Sequence, residues 1–378
     1  MIPAAVAVQR ASDARLMVVD ASGEVAHKRR TDFPALVHSG DLVIANDAAT
    51  LPASLSGTHL ATGSPIELRL AGRRSLVSQH IDTFTAVAFG AGDFRTPTES
   101  RPLPPPFSVG DALQLGPLHA VVREILEHPR LIEVRFEGSG QEIWEGLARH
   151  GHPIQYSYLS APLALWDTWT TIASRPVAFE APSAGFLLDW RLVDSLRTRG
   201  ATFATLTHAA GISSTGDVRL DAMLPLAEAY EIPLRTANAI DAAQRRGGRI
   251  IAVGTTVVRA LEDSAAYDGC VRAGRAVATL KIGPLTRLRI VDALVTGQHE
   301  PGTSHYELLR AFQDDSVLRR AIEEAEMHAY RTHEFGDSLF IVRGQRMTWQ
   351  SFTTTSDIPR GRFSEPASDS GQTAGRSG

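Results

Sequence analysis

The sequence predicts an α/β fold, in which a parallel-rich, barrel-like α/β domain carries an inserted, small antiparallel β-barrel domain. After Pro176, strand-like apolar runs alternate with helix-like segments, a pattern typical of a sheet with many parallel strands. Between residues 58 and 151, short alternating segments are separated by Gly and Pro clusters, which is typical of a small antiparallel barrel or sandwich. We therefore expect a discontinuous α/β domain (residues 1–57 and 152–356) around an inserted β-domain (residues 58–151).

Each element follows from a local pattern. Short apolar runs between turn residues predict strands at 15–20, 41–47, 66–70, 85–89, 120–125, 131–136, 201–208, 249–253, 288–295 and 338–342. Helical patterns lie at 187–199, 236–246, 255–262, 305–312 and 316–331, and Gly200 and Gly247 mark two of their ends. Residues 364–378 are rich in Ser and Gly and almost free of apolar residues, so we expect a disordered tail.

The composition of the chain narrows the class of protein to which it can belong. The 378 residues are 43% hydrophobic and 21% charged, which is the balance of a globular protein large enough for two domains. A net charge of −4, from 38 basic and 42 acidic residues, argues against a large nucleic-acid footprint but allows a local patch. We see neither a secretory signal nor an apolar run of about 20 residues. With a single cysteine, Cys270, the chain fits a reducing cytoplasm, and we expect no membrane contact and a monomer.

The most informative motif runs from Arg249 to Glu262, where a β-branched apolar run stops at Gly254 and a helical pattern begins. A helix that starts at the end of a buried strand offers free N–H groups and a partial positive charge to an anion. Thr255 or Thr256 can cap this helix, and Arg259 can add donors for a carboxylate or phosphate. An ordinary strand–turn–helix joint would give the same pattern.

Polar residues gather where the predicted strands end, at the edge of a parallel sheet where ligands usually bind. They comprise Asn46 and Asp47, Thr207 and His208, Gly254 to Thr256, residues 296–305, residues 334–337 before the last strand, and the turn 181–185. Each group alone is more simply a cap or a turn. Six groups at one edge predict an active site there.

These same segments resemble the S-adenosylmethionine:tRNA ribosyltransferase-isomerase family, which makes epoxyqueuosine. The resemblance is carried, in the family's order, by residues 39–47 with 51–55, 181–185, 207–208, 247–262, 299–304, and 330–331 with 335–337. It covers almost the whole chain, including the inserted β-domain, and the Gly254 segment is its most specific part.

The resemblance implies that S-adenosylmethionine is a co-substrate that donates its ribosyl unit to the 7-aminomethyl-7-deazaguanine base in the anticodon region of tRNA, with release of adenine and methionine. The reaction begins with loss of a proton from the ribose carbon beside the sulfonium, which requires a base. His299 is our first hypothesis for that base and His208 the second, because a histidine accepts a proton near neutral pH. Asp337 would protonate the leaving adenine or bind a ribose hydroxyl.

The donor itself would lie against the residues of the family motifs. Gly254, Thr255, Thr256 and Arg259 would hold its methionine carboxylate. The hypothesis adds Asp47 as a ligand of a ribose hydroxyl, and it adds Ser183 and Gly185 from the turn at 181–185 to the donor site. No metal is expected, because the thirteen histidines are scattered and His299 with His305 lacks a third ligand at usual spacing.

Several departures from the family pattern keep alternatives open. Phe186 stands where the family typically has histidine, and the segments 152–158, 209–214 and 297–301 differ from the family's motifs. These differences fall mainly on the part we would assign to the acceptor. One alternative is therefore an enzyme of the same fold that uses the same donor on a small-molecule acceptor. Another is a non-catalytic RNA-binding or scaffold protein.

A dinucleotide site is not indicated, since no Gly-x-Gly-x-x-Gly follows a strand.

Overall fold

A computed structural model describes residues 1–77 and 79–344 of the chain. The strands of this part are β1 (Ile2–Pro3), β2 (Arg15–Val19), β3 (Val25–Arg29), β4 (Leu42–Asn46), β5 (Ala48–Thr50), β6 (Ser54–His59), β7 (Ser64–Gly72), β8 (Thr83–Phe89), β9 (Ala112–Leu115), β10 (Leu118–Ile125), β11 (Leu131–Phe136), β12 (Arg175–Ala178), β13 (Thr202–His208), β14 (Glu228–Ile232), β15 (Ile250–Val253), β16 (Gly274–Ala278), β17 (Ala293–Gly297), β18 (Arg331–Thr332) and β19 (Ser338–Val342).

The α-helices of the same part are α1 (Gly140–His150), α2 (Trp190–Thr198), α3 (Val218–Asp221), α4 (Leu234–Arg245), α5 (Thr255–Ser264), α6 (Ser304–Leu309) and α7 (Asp315–Met327). Short 3-10 helices lie at Arg30–Leu36, Thr98–Ser100, Leu165–Thr168 and Ser183–Leu187. Within the described ranges, no helix is both long enough and apolar enough to span a bilayer.

The large sheet has nine strands in the order β16-β14-β13-β4-β15-β17-β19-β2-β3. The strands β13, β4, β15 and β17 are parallel neighbours, whereas β19 runs antiparallel to β17 and parallel to β2. The outer strands β14, β16 and β3 add antiparallel pairs. The carboxyl ends of β13, β4, β15 and β17 therefore meet at one edge, where β19 also begins, because Gly297 pairs with Ser338.

Both faces of this sheet are covered, as expected for parallel strands. Side chains alternate along β4, so that Leu42 and Ile44 pack into one core with residues of α4 and α5, while Val43 and Ala45 pack into another with residues of α2. The period of two in the strands and the apolar stripes of the helices thus fix which side of each element faces the sheet.

The second unit of structure is a closed barrel of six antiparallel strands, in the order β10-β11-β8-β7-β6-β9. Its strands run from Ser54 to Phe136 along the chain, and α1 follows them. The barrel interior is apolar, with Leu68, Phe84 and Val134 among its buried residues. The predicted fold class, an α/β sheet with an inserted antiparallel barrel, is confirmed.

The exact domain boundaries, 1–57 with 152–356 and 58–151, stay a prediction, and the predicted tail at 364–378 lies outside the described residues. The sequence did not predict the edge strands β3 and β16. Most residues of both strands are exposed, so their sequences carry no apolar alternation.

One predicted strand begins later than expected, because the backbone N–H groups of its first residues donate to a carboxylate and not to a neighbouring strand. The apolar pattern predicts a strand at 288–295, but β17 begins only at Ala293. The N–H groups of Arg289, Ile290 and Val291 donate instead to the carboxylate of Glu262 in α5, at 2.8, 3.0 and 2.9 Å. Glu262 is 3% exposed. This single side chain therefore ties the last turns of α5 to the segment that leads into β17.

We expect Glu262→Ala to lower the free energy of unfolding by about 3 kcal/mol, because it leaves three backbone donors without an acceptor, two of them buried. Urea unfolding of the full chain measures this loss. Glu262→Gln keeps one carbonyl oxygen and should lose clearly less, and Glu145→Ala on the exposed face of α1 should change stability by less than about 0.5 kcal/mol. Equal stabilities of the Glu262→Ala variant and the wild type would contradict this role.

Candidate active site

A cavity of about 350 Å³ lies at the edge of the large sheet where β15 and β17 end. Its wall is formed by residues 180–184, 210–214, 254–256 with Arg259, 296–300, 303–305 and 332–334. These segments include four of the six polar groups that the sequence placed at one edge of a sheet. The volume is in the range of sites that enclose a small molecule.

One wall of the cavity is the first turn of α5. Gly254 precedes the helix with φ of 106°, a conformation that glycine adopts without strain, and its own N–H donates to Val295. No side chain of the described residues caps this helix start. Because the first N–H groups of a helix have no partner within it, Thr255 and Thr256 present donors and a partial positive charge to the cavity.

Arg259 also lines the cavity, but most of its donors are already engaged. The guanidinium is buried, forms an ion pair with Glu228, and donates to the carbonyls of Leu226 and Ala278 at 3.1 and 3.3 Å. Only Nε is without a hydrogen-bond partner among the described residues. Arg259 therefore serves first to neutralise Glu228, a contact that was not predicted from the sequence. Its predicted contact with the donor carboxylate stays a prediction.

His208 lies behind the cavity wall and does not line it. Its side chain is fully buried, its Nε2 is 3.5 Å from the Glu228 carboxylate, and neither ring nitrogen has a hydrogen-bond partner within the described ranges. Burial, assisted by the positive charge of Arg259, holds the pKa of His208 well below its usual value. The ring is therefore neutral at physiological pH, and its position does not favour the predicted role as a base.

His299 lines the cavity directly. Its Nε2 contacts the hydroxyl of Thr296 at 2.7 Å, and its ring stacks on His305 with centroids 4.8 Å apart. Burial, together with His305 and His333, lowers the pKa of His299 well below its usual value, and burial with Arg259 lowers the pKa of His305 to about 4. Both rings are neutral at physiological pH and can accept a proton.

The two predicted aspartates lie outside this cavity. Asp337 is 1% exposed and accepts hydrogen bonds from the backbone N–H groups of Arg15 and Arg331 at 2.9 and 2.8 Å, and it also pairs with the Arg15 guanidinium at 2.7 Å. Asp47 accepts from the hydroxyls of Thr205 and Thr207 at 2.9 and 2.6 Å. Both carboxylates thus have structural partners, which does not favour their predicted roles.

The turn at 181–185 is divided between the cavity and the protein interior. Ser183 lines the cavity, whereas Gly185 does not. Gly185 is buried, and a Cβ atom at this position would lie 2.8 Å from Cγ2 of Thr170. The glycine therefore permits close packing of the turn against Thr170, which brings Ser183 to the cavity.

Two glutamates in this wall, each paired with a tyrosine behind it, were not predicted from the sequence. The hydroxyl of Tyr156 donates to Glu180, and the hydroxyl of Tyr158 donates to Glu334. The two phenol rings stack with centroids 6.0 Å apart, and Tyr158 stacks on His333 at 4.0 Å. Both glutamates line the cavity.

These pairs shift the pKa values of their members. Desolvation, with a further contribution from the negative charge of Glu334, raises the pKa of Glu180 to about 7. Desolvation and the adjacent carboxylates raise the pKa of Tyr156 and Tyr158. Glu180 can therefore exchange a proton near neutral pH, which is the property that acid–base chemistry requires.

The sequence did contain a weak signal for these residues. Glu180 directly precedes the predicted turn 181–185, and Glu334 directly precedes the Phe-Gly-Asp motif. The two tyrosines lie in the segment 152–158, which the sequence marked only as a departure from the family pattern. The positions beside two motifs therefore indicate the two glutamates, whereas no motif indicates the two tyrosines.

A possible metal-binding group lies elsewhere in the described chain. His27, Glu324 and His328 bring three potential ligand atoms within 4.8 Å of one another, on β3 and around the carboxyl end of α7. None of the three lines the cavity.

Comparisons with known proteins identify the family. A family model described as queuosine biosynthesis protein matches residues 2–341. The S-adenosylmethionine:tRNA ribosyltransferase-isomerase of Sorangium cellulosum is 34% identical over 355 residues, which cover 88% of this chain and 92% of that protein. The protein of the same name from Azoarcus sp. is 33% identical over 340 residues, with coverages of 88% and 91%.

Among solved structures, the S-adenosylmethionine tRNA ribosyltransferase of Thermotoga maritima is similar with a TM-score of 0.48 and 24% identity, over 90% of this chain and 96% of that chain. The family model and the two relatives cover most of the chain, including the barrel and all the segments that line the cavity. The chain therefore belongs to the queuosine biosynthesis protein family.

Proposed function

We propose that this protein is an S-adenosylmethionine-dependent ribosyltransferase-isomerase. It transfers and isomerises the ribosyl moiety of S-adenosylmethionine onto the 7-aminomethyl-7-deazaguanine base of tRNA, giving epoxyqueuosine, adenine and methionine. The observation that carries the proposal is that three family motifs, around Ser183, Gly254 and His299, border one cavity. The names of the relatives support both the donor and the tRNA acceptor.

The start of α5 suits the methionine carboxylate of the donor. Thr255 and Thr256 offer backbone donors there, and the helix dipole favours a negative charge. We place the carboxylate at these N–H groups and not on the guanidinium of Arg259, because Glu228 already neutralises that group. Ser183 borders the same cavity and supplies a further hydroxyl.

His299 is our assignment for the base that removes the proton beside the sulfonium. The lowered pKa keeps the ring neutral, so that it can accept a proton, and the Thr296 hydroxyl fixes its orientation through Nε2. The other ring nitrogen, Nδ1, would receive the proton. The stacked ring of His305 limits rotation of the base. His208, Asp337 and Asp47 receive no catalytic role in this proposal, because none of them lines the cavity.

A tRNA acceptor is compatible with the overall charge of −4, since a local contact around one base is sufficient. The departures in the acceptor motifs allowed a small-molecule acceptor as an alternative. The names of the relatives do not favour it, and we do not adopt it. We propose that the enzyme works in the cytoplasm, where tRNA is modified, and as a monomer.

The direct test incubates the full chain with S-adenosylmethionine and a tRNA that carries the aminomethyl-deazaguanine base. Nucleoside analysis of the tRNA should show epoxyqueuosine, and adenine should appear in equal amount. A protein that binds the donor but forms neither product would contradict the proposed reaction and favour the non-catalytic alternative.

We expect His299→Gln to abolish adenine release, by at least about 100-fold in rate, because a positioned base typically contributes 10²–10⁴-fold. Donor binding, measured by calorimetry, should change little. His119→Gln on the exposed surface of the barrel is the matched control and should retain full activity. Adenine release by the His299→Gln variant at the wild-type rate would remove His299 as the base.

The carboxylate site can be tested on the ligand without altering the protein. The carboxamide of S-adenosylmethionine should bind more weakly than S-adenosylmethionine by about 1.5–3 kcal/mol, because the hydrogen bonds at the start of α5 lose their charge. Calorimetry on the wild-type protein gives both dissociation constants. Equal affinities of the two ligands would reject this placement of the carboxylate.

A further inference from the structure

Two partly buried carboxylates, those of Glu180 and Glu334, face the cavity without a positive partner, whereas Glu300, which also lines the cavity, is exposed to solvent. Glu180 accepts from the Tyr156 hydroxyl and lies beside Ser213, and Glu334 accepts from the Tyr158 hydroxyl. Within residues 1–77 and 79–344, neither glutamate forms an ion pair with lysine, arginine or histidine. The two glutamates are close enough for the charge of Glu334 to act on Glu180. Two neighbouring carboxylates of this kind are stabilised either by a proton on one of them or by a cation in the cavity.

A third polar atom in the same wall lacks a partner. Thr332 is 1% exposed and lines the cavity two residues before Glu334, and its hydroxyl has no hydrogen-bond partner among the described residues. Buried hydroxyls in native proteins are normally hydrogen-bonded. This unsatisfied hydroxyl is independent of the two carboxylates, and it can accept a hydrogen bond from a ligand.

We propose that Glu180, Glu334 and Thr332 form a subsite for a primary ammonium group, and that in the reaction proposed above this group is the aminomethyl substituent of the acceptor base. The identity of the ammonium rests on the proposed function. The subsite itself rests on three acceptors at one wall of a cavity, which equal the three N–H donors of a primary ammonium. A sulfonium has no N–H donor and would leave the Thr332 hydroxyl unsatisfied.

The aromatic rings beside the carboxylates favour the acceptor over the donor. Tyr156, Tyr158 and His333 form a stack whose successive ring planes differ by 13° and 12°. Of the three rings, His333 lines the cavity. A planar base can pack against its ring, and the ammonium of the acceptor is attached to such a base by one carbon. The ammonium of methionine, by contrast, lies one carbon away from the carboxylate that we place at the start of α5.

The subsite also supplies the proton acceptor that the acceptor amine needs. A primary ammonium is protonated at neutral pH, since its pKa is about 10, and a protonated amine is not a nucleophile. One N–H bond of the ammonium breaks, its electron pair stays on nitrogen, and the proton forms an O–H bond with the Glu180 carboxylate. Glu334 keeps its negative charge and holds the group in place through the remaining donors.

The charged and titratable groups around Glu180 are Tyr156, Tyr158 and Glu334, with Arg69 5.5 Å from the centre of the Tyr156 ring and His333 stacked on Tyr158. Desolvation raises the pKa of Glu180 to about 7, so that its charge develops between about pH 6 and 8. Binding of the ammonium should therefore strengthen as the pH rises through this range. The tyrosines remain protonated there, because their pKa values are raised.

The experiment compares two tRNAs as ligands of the full chain: one carries 7-aminomethyl-7-deazaguanine and the other carries 7-methyl-7-deazaguanine, which lacks the amine. The wild type should bind the amine-bearing tRNA at least tenfold more tightly at pH 8, and less selectively at pH 6. Glu180→Gln and Glu334→Gln should each reduce this ratio about tenfold, while calorimetry should show an unchanged affinity for S-adenosylmethionine.

Control variants distinguish loss of the ammonium subsite from a general loss of folding. Glu145→Gln on α1 should leave the ratio of affinities at the wild-type value. Tyr158→Phe keeps the aromatic stack but removes one hydroxyl. It should lower the ratio of the affinities for the two tRNAs less than Glu334→Gln does. Glu180→Asp keeps the charge and should restore part of the discrimination that Glu180→Gln loses, provided that the melting temperatures match.

Equal affinities of the wild type for the two tRNAs would overturn the subsite. Glu180→Gln and Glu334→Gln variants that still discriminate between the two tRNAs would also overturn it. The same holds if these variants lose affinity for S-adenosylmethionine instead. The readout is binding and needs no turnover. A wild-type protein that discriminates the amine but forms no epoxyqueuosine would therefore contradict the proposed function alone, whereas an active enzyme without discrimination would contradict this subsite alone.

Discussion

The buried ion pair between Arg259 and Glu228 is the interaction on which the electrostatics of this site depend. It joins α5 to the first residue of β14, and both partners are almost fully buried. Removing either member would leave an uncompensated charge in the interior. The free-energy cost of that charge is far larger than the net stabilisation that the intact pair provides. Burial lowers the pKa of His208 and His305, and the charge of Arg259 lowers both further.

The same pair explains why the start of α5, and not its arginine, is available for an anion. Glu228 accepts from the N–H of Gly211 at 2.5 Å as well as from Arg259, so the strand β14, the segment after β13 and the helix are held together. With the helix fixed, the donors of Thr255 and Thr256 stay at one wall of the cavity. A preorganised donor set of this kind needs no rearrangement when a carboxylate binds.

The sequence predicted the sheet edge well because its signals are local. The apolar run before Gly254 and the helical pattern after it specify a strand–helix joint, and four parallel strands must bring their carboxyl ends to one edge. Contacts between distant segments had no such signal. The partner of Arg259 lies 31 residues away and the partner of Tyr158 lies 176 residues away, so neither pairing follows from spacing. The shortened β17 has the same origin, because Glu262 acts from another element.

Asp337 shows that a motif can place a residue at the correct edge of the sheet without placing its side chain in the cavity. Asp337 follows Gly336 at the correct edge, yet its carboxylate lies inside a set of donors from Arg15 and Arg331 and does not line the cavity. Glu334, three residues earlier, does line the cavity, and within the described residues it forms no ion pair with a basic side chain. A carboxylate whose oxygens are satisfied by the protein stabilises the fold, whereas one that lacks a positive partner is free to bind a cationic ligand. The distinction is set by the neighbours of each side chain in three dimensions, which the order of residues along the chain does not reveal.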